Sequence, residues 1–241
     1  MNTIRQLIVL TKKEFDYHYL ISPLGLIFGS LFCLISGWLF FQDFFLINQA
    51  SLSPFFLLLP FLLLFFLPAM TMNLFAEEKK SGTWEILLTL PTDEKSIVLA
   101  KFLASLAYAS LIILLSLPLA ITIGVIGSPD WGLILSSYLG AFLLSAAYLS
   151  TGILFSSLTD NPIIALISST LVLLVNFFAG QEGVVSRLPN AIGHLIAFTS
   201  LNWQYQFFLK GNILLTGLVI IPSWVLICLL LTIVSLKSRD Y

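Results

Sequence analysis

Residues 54–74 read PFFLLLPFLLLFFLPAMTMNL, an apolar run without a charged side chain. At 1.5 Å per residue, a helix of this length crosses the roughly 30 Å hydrocarbon core of a bilayer. A membrane barrel would instead show alternating segments of about ten residues. Because lipid offers no partner to backbone polar groups, the run must satisfy them internally as a helix. The stretch therefore predicts a membrane-spanning helix.

The composition extends this prediction to the whole chain. Of 241 residues, 59% are hydrophobic and 10% are charged, whereas a soluble domain carries about 25% charged residues. Further apolar runs predict five more spans, at 23–41, 97–126, 131–158, 163–179 and 212–236. We expect an all-α membrane protein that forms a single transmembrane domain over 1–241 with six transmembrane helices.

The distribution of lysine and arginine predicts the orientation. With both termini in the cytoplasm, Arg187 and Lys210 face outward and the remaining basic residues face inward. These are Arg5, Lys12, Lys13, Lys79, Lys80, Lys95, Lys101, Lys237 and Arg239. Such a bias follows the positive-inside rule. Lys95 and Lys101 are expected to snorkel from helix ends toward water.

Two segments outside the spans have patterns of their own. Residues 1–19 place Ile4, Leu7, Ile8, Thr11 and Phe15 on one helical face, which predicts an interfacial amphipathic helix. A plain cytosolic tail is the alternative. Residues 180–211 are moderately apolar but broken by glycine and proline, which predicts short interfacial or re-entrant helices on the outer side.

The longest polar stretch between spans is 76–96, and it includes the sequence SGTWEILLTLP at 81–91. Gly82 is expected to end one helix, Thr83 to cap the next, and Pro91 to end it. Trp84, Leu87 and Leu88 then share one face. The residues alone leave two alternatives open: the face docks into a groove on a cytosolic partner, or it lies flat on the membrane interface.

Motifs for catalysis or cofactor binding are absent from the sequence. It contains no metal-binding cluster of histidine and cysteine, and no GxxxxGK[ST] phosphate-binding loop. Cys33 and Cys228 lie inside apolar runs and are expected to be packing residues. We therefore expect no catalytic, cofactor-binding or metal-binding residues, and no ATP hydrolysis by this chain itself.

The stretch from Phe75 to Pro91 and the run IVLAKFL at 97–103 resemble the ABC-2 type permease family. Within it, the sequence is similar to the permease of the gliding-motility-associated ABC transporter and to the permease of the nitrous-oxide-reductase maturation system. The resemblance covers the chain up to about residue 167. The matching residues are Glu77, Glu78, Lys79, Lys80, Gly82, Thr83, Glu85, Leu87, Leu88, Pro91, Lys101 and Phe102.

The resemblance implies a type V exporter-like fold with an N-terminal elbow helix and a short cytosolic coupling helix that docks on a separate ABC ATPase. The docking residues would be Glu77, Gly82, Thr83, Trp84, Glu85, Leu87, Leu88 and Pro91, with a second cytosolic contact at Thr159, Asp160 and Asn161. For the face that carries Trp84, the resemblance favours docking over the membrane interface.

The resemblance also implies partners and a location. Two permease chains, identical or related, would pair with two ATPase copies in a bacterial inner membrane, in contact with lipid. An extracytoplasmic auxiliary protein is a further candidate partner, and nucleic acid is not expected. Export is the favoured direction. The alternatives are a non-transporting anchor that transmits motion to an extracytoplasmic partner, and a carrier acting alone, which the scarcity of charges inside the spans disfavours.

Overall fold

The computed structural model describes residues 3–47, 52–83, 93–127 and 129–237, which are helical throughout apart from short connections. The chain begins with α1 (Thr3–Phe15), continued by one π-helical turn (Asp16–Leu20). The helices that follow are α2 (Pro23–Ile47), α3 (Ser53–Thr71), α4 (Asn73–Lys80), α5 (Glu94–Leu114), α6 (Leu117–Ile126), α7 (Trp131–Leu158), α8 (Pro162–Ala179), α9 (Glu182–Val185), α10 (Asn190–Thr199), α11 (Leu201–Leu209) and α12 (Leu215–Lys237).

Six of these helical segments are long and apolar enough to cross a membrane, which confirms the predicted class of multi-pass all-α protein. They are α2, α3 with α4, α5 with α6, α7, α8 and α12. Two of them extend beyond the predicted limits. The first continues to Ile47, and the second continues as α4 to Lys80, so the predicted loop at 76–96 begins with helix.

The third span predicted for 97–126 is confirmed as one apolar segment, but it is divided into two helices, α5 and α6. It breaks between α5 and α6, where Pro118 lacks the backbone N–H that would continue the ladder. The Ser116 hydroxyl donates to the carbonyl of Ile113 at 2.7 Å and bonds the Tyr138 hydroxyl of α7 at 2.9 Å. Ser116 therefore satisfies a carbonyl at the break, and its bond to Tyr138 joins the broken segment to α7.

The central element of the bundle is α7, which packs against α3, α4, α5, α8, α11 and α12. Small residues let its neighbours approach closely, as is usual at helix contacts in membranes. A Cβ atom added at Gly152 would lie 2.1 Å from Oγ1 of Thr71 on α3 and 3.5 Å from Cα of Pro68. The crossing of α3 and α7 therefore requires glycine at this position.

The segment at 180–211 forms the three short helices α9, α10 and α11, and α11 enters the bundle. Tyr205, which is buried, donates its hydroxyl to the carbonyl of Phe56 at the start of α3 at 2.9 Å. The Ser136 hydroxyl of α7 donates to the carbonyl of Phe208 at 2.7 Å. The last short helix is thus attached to both α3 and α7.

A substitution at the α3–α7 crossing tests this packing. Gly152→Ala should lower the free energy of unfolding by about 1–3 kcal/mol because the added methyl overpacks the contact. Adding Thr71→Ala should recover part of the loss, since it removes the nearest atom. Thermal unfolding of the purified chain in detergent measures both effects.

The matched control is Gly37→Ala in α2, where a Cβ atom would have no neighbour within 4 Å. Equal melting temperatures for the two alanine variants would contradict the close crossing.

Candidate functional site

One end of the bundle, which we call the basic end, carries most of the lysines that the structure describes. It is formed by α1, α4, the start of α5, the end of α7, the start of α8 and the end of α12. The lysines are Lys12, Lys13, Lys79, Lys80, Lys95, Lys101 and Lys237. Of these, Lys237 lies 3.8 Å from Glu94, which places the ends of α12 and α5 together. The predicted docking residues that the structure describes lie at this same end.

A fully buried lysine lies at the centre of the basic end. The ammonium of Lys101 is 2.7 Å from Oε1 of Glu78 on α4 and 3.2 Å from Oε2 of Glu14 on α1, and the lysine side chain is 0% exposed. It also lies 5.3 Å from the centroid of the Phe75 ring, within the range of a cation–π interaction. We call Lys101, Glu14, Glu78, His18 and Phe75 the Lys101 cluster.

The expectation that Lys101 snorkels to water is wrong, because α1 and α4 cover it. A buried charge is tolerated when it is paired and hydrogen-bonded, and its two carboxylates meet that requirement. These carboxylates come from residues 87 and 23 positions away in the chain. The lysine therefore joins three separate helices, α1, α4 and α5, at one point.

The Glu14 carboxylate is held in its charged form. Burial alone would raise its pKa, but the hydrogen bond from His18 and the positive charge of Lys101 outweigh burial and lower the pKa to about 2. The Nε2 atom of His18 lies 3.2 Å from Oε2 of Glu14. The Glu14 carboxylate thus accepts one hydrogen bond from His18, on its own helical segment, and one from Lys101 on α5.

Possible ligand atoms of Glu14, His18 and Glu78 lie within 4.8 Å of one another, a spacing that could hold a metal ion. The ammonium of Lys101 already contacts both carboxylates. It supplies the positive charge that a metal ion would otherwise bring to these oxygens. The geometry therefore fits an ionic junction better than a metal centre.

The α4 helix is attached to α7 by a second set of contacts. The Ser156 hydroxyl accepts from the backbone N–H groups of Phe75 at 3.0 Å and Ala76 at 3.2 Å, and donates to the carbonyl of Met72 at 2.8 Å. These donors belong to the first turn of α4. Further along, the ammonium of Lys79 donates to the carbonyl of Ser157.

The predicted helix break at Gly82 is confirmed. The α4 helix ends at Lys80, and Gly82 has a φ of 72°, the left-handed conformation that glycine adopts readily after a helix. The N–H of Gly82 donates to the carbonyl of Lys79 at 3.1 Å. The Thr83 hydroxyl donates back to the carbonyl of Glu78 at 3.2 Å.

The other predicted docking residues divide into two groups. Glu77 is exposed on α4. Trp84, Glu85, Leu87, Leu88 and Pro91 lie outside the described residues, so the coupling helix and its docking face stay predictions.

The second predicted contact is the turn between α7 and α8. The Oδ1 atom of Asn161 accepts from the N–H of Ile163 at 3.0 Å and caps α8, while its own N–H donates to the Thr159 hydroxyl at 3.2 Å. Asp160 and Asn161 are exposed. Because Lys79 contacts Ser157, this turn lies beside the end of α4. The structure thus brings Gly82 and Thr83 to the same end of the bundle as 159–161.

Sequence reasoning missed Glu14 and Ser156, and misplaced Lys101. A signal for Glu14 was present, because this carboxylate follows Leu7 and Thr11 along the helix face that packs on α5. A carboxylate on a packed face requires a cation from a neighbour. Ser156 carried no signal, since serines are frequent along α7 and usually bond to their own helix.

Removing the buried charge should destabilise the chain. Lys101→Met leaves two carboxylates without their cation, and we expect a loss of about 3–5 kcal/mol in unfolding free energy. Lys95→Met, on the exposed face of the same helix, should change it by less than about 0.5 kcal/mol. Thermal unfolding in detergent compares the two, and equal melting temperatures would rule out a paired, buried ammonium.

The lowered pKa of Glu14 predicts a pH dependence. Its ionised form stabilises the fold at pH values above the ordinary value of 4.5, and this contribution is lost as the pH falls toward about 2. Glu14→Gln lacks it. The melting temperature of the native chain should therefore exceed that of the variant at pH 6, and the difference should shrink progressively below pH 4.5. A difference that stays constant down to pH 3 would contradict the assignment.

The comparisons with known proteins agree with this architecture. The family model described as ABC-2 family transporter protein matches residues 41–237, which include every span except the beginning of the first. No curated protein matches the chain at a significant level. Proteins of the matched family normally work with an ABC ATPase partner. With six apolar helices, a polar basic end and a match over most of its length, the chain belongs to the ABC-2 family of transporter proteins.

Proposed function

We propose that this chain is the permease subunit of an ATP-binding cassette exporter, driven by ATP hydrolysis on a separate subunit. Membership of the ABC-2 family supports the role of a transmembrane transporter subunit. In this proposal two permease chains, identical or related, pair with two ATPase subunits. The basic end faces the cytoplasm of a bacterium in this proposal, because lysines are enriched on that side of the membrane. We also propose that the chain is related to the permeases of the gliding-motility and nitrous-oxide-reductase maturation systems.

The observation that carries the proposal is the Lys101 cluster. A permease must transmit force from a cytosolic ATPase to its spans, and it needs a stiff connection to do so. The segment at 81–93 leaves α4 and enters α5, and Lys101 links these two helices through Glu78. Its second contact, with Glu14, adds α1 to the same unit. Displacement of that segment would therefore move α1, α4 and α5 together.

The contacts of α4 with α7 extend this unit to the centre of the bundle. Ser156 binds the first turn of α4, and Ser157 accepts from Lys79. Since α7 packs against six of the other helices of the bundle, motion at its basic end would reach most of the spans. In this account Trp84, Leu87 and Leu88 anchor the coupling helix on the ATPase, and the turn at 159–161 makes a second contact.

A second candidate function uses the same connected helices, α1, α4, α5 and α7, without a transported substrate. The Tyr205 hydroxyl bonds α11 to α3, and the Ser136 hydroxyl bonds it to α7. Movement of α7 would thus be transmitted to α11 at the end of the bundle opposite the basic end. This connection favours a membrane anchor that acts on an extracytoplasmic partner as the alternative function.

Co-expression with the ABC ATPase that co-purifies with the chain tests docking and coupling separately. Trp84→Asp and Leu87→Asp should abolish the complex, because each places a charge in the proposed apolar contact. Lys101→Met, although less stable, should reduce the permease-stimulated rate of ATP hydrolysis per assembled complex, since the connection between α1, α4 and α5 is loosened. Pull-down yield and ATPase rate in proteoliposomes are the two measurements.

Lys95→Met is the control, with the same change on the exposed face of α5, and should match the native chain in both measurements. If both aspartate variants keep full complex formation and full stimulation, the docking proposal fails. If Lys101→Met stimulates ATP hydrolysis as well as Lys95→Met does, the proposal that Lys101 transmits force between α1, α4 and α5 fails.

A further inference from the structure

A groove lies between the N-terminal helix and the third span. It has a volume of about 330 Å³ and separates α1 from the part of α5 that follows Lys101. Its apolar walls include Ile8 and Phe15 on α1 and Leu103 and Ala107 on α5. We call it the α1–α5 groove. Elsewhere along their length the two helices pack directly against each other, so the groove has a fixed position in the fold.

The groove continues into an apolar stripe on the outer side of α5. Leu103, Ala107, Leu111 and Leu114 follow one another at spacings of three or four residues, which places them on one side of the helix. All four are exposed. On a membrane-spanning helix, an exposed apolar stripe faces lipid. From Leu103 to Leu114 the stripe extends about 16 Å, roughly half of the hydrocarbon core. An acyl chain that follows the stripe would therefore enter the groove.

A cation borders the α1–α5 groove. Lys12 lines the groove and is exposed, and it forms no ion pair within the part of the chain that the structure describes. The carboxylate of α1, Glu14, is already bonded to Lys101 and His18. The exposed side of α1 is therefore positively charged, and an anion at the groove would meet an available ammonium.

A hydroxyl lies in the same groove. The Oγ1 atom of Thr11 is shielded from solvent and has no hydrogen-bond partner among the described residues. Threonine in a helix can donate to the carbonyl four residues earlier, as Thr71 does to Leu67 and Thr122 does to Pro118. Leaving a buried polar group unpaired is unfavourable. The groove thus offers a donor to an occupant that carries an acceptor.

From these observations we propose that the α1–α5 groove binds one anionic phospholipid from the leaflet at the basic end. Its phosphate pairs with Lys12, an ester carbonyl accepts from Thr11, and an acyl chain lies in the groove beside Ala107. An anionic phospholipid carries the negative charge, the acceptor and the apolar chain on one molecule. A helix of another protein fits less well, because its backbone carbonyls are already bonded within the helix. The inference concerns the chain alone and does not depend on an ATPase.

Photocrosslinking of the purified full-length chain in detergent tests the proposal. Two lipid probes carry the same diazirine in an acyl chain and differ in the headgroup, which is phosphatidylglycerol in one and phosphatidylcholine in the other. Each is added at the same concentration to a separate sample, and the labelled peptides are identified by mass spectrometry. The phosphatidylglycerol probe should label α1 or residues 103–114 about two- to fivefold more than the phosphatidylcholine probe, the factor that an exposed ion pair supplies.

Two lysine variants distinguish a charge at the groove from the general charge of α1. Lys12→Gln should bring the ratio of the two probes near one. Lys13→Gln removes the same charge from the next residue, which does not line the groove, and should keep the native ratio. Thr11→Val should lower labelling by both probes about two- to tenfold, the worth of one hydrogen bond, and leave the ratio unchanged.

Tryptophan substitutions test the place of the acyl chain. Ala107→Trp fills the groove and should reduce labelling of this site by both probes. Leu226→Trp, on the exposed face of α12, should behave as the native chain. Leu103→Trp, at the exposed edge of the groove, provides a second blocking variant if Ala107→Trp fails to elute as a single species.

Several results would overturn the inference. Equal labelling of the native chain by the two probes contradicts the headgroup assignment, and labelling confined to other helices would place the lipid elsewhere. Equal loss of the preference in Lys12→Gln and Lys13→Gln would reduce the site to the general attraction of a basic surface. Blocking variants that turn a dimer into a monomer and leave labelling unchanged would assign the groove to a second copy of the chain.

Discussion

The architecture of the basic end depends on one electrostatic constraint, that a buried ammonium must be compensated where it lies. Lys101 is fully buried on α5, and its partners come from α1 and α4. Separating either partner would leave charge in a site shielded from water, which costs several kcal/mol. The constraint therefore fixes the N-terminal helix against the bundle and fixes the helix that precedes the segment at 81–93. An amphipathic helix held by lipid alone would have no such defined position.

A second constraint is the need to satisfy backbone groups where helices break. Ser156 binds backbone groups at the junction of α3 and α4, and at the break between α5 and α6 the Ser116 hydroxyl donates to the carbonyl of Ile113 and bonds the Tyr138 hydroxyl of α7. Ser156 belongs to α7, and Ser116 is bonded to Tyr138 of α7. This central helix thus stabilises two discontinuous spans as well as packing against them. Its small residues make that possible because they let neighbouring backbones come close.

Much of the fold could be predicted from local pattern. Run length and hydropathy predicted six spans, and glycine with its neighbours predicted the helix end at Gly82. Features that depend on distant residues could not be predicted. The Lys101 cluster needs partners 87 and 23 positions away, and the insertion of α11 depends on Phe56 and Ser136. Pro118 did mark the break in the third span, but proline is also tolerated inside membrane helices, as Pro60 and Pro222 are here.

In the proposed mechanism, α1 and α4 move as one body with α5 during the ATPase cycle. Spin labels at Lys13 and Lys80, both exposed, report the distance between the first two of these helices by pulsed electron resonance in the complex with the ATPase. The account predicts that this distance is the same without nucleotide and with ATP and vanadate, while the distance between the Lys80 sites of two paired permease chains changes. A nucleotide-dependent change between Lys13 and Lys80 within one chain would contradict it.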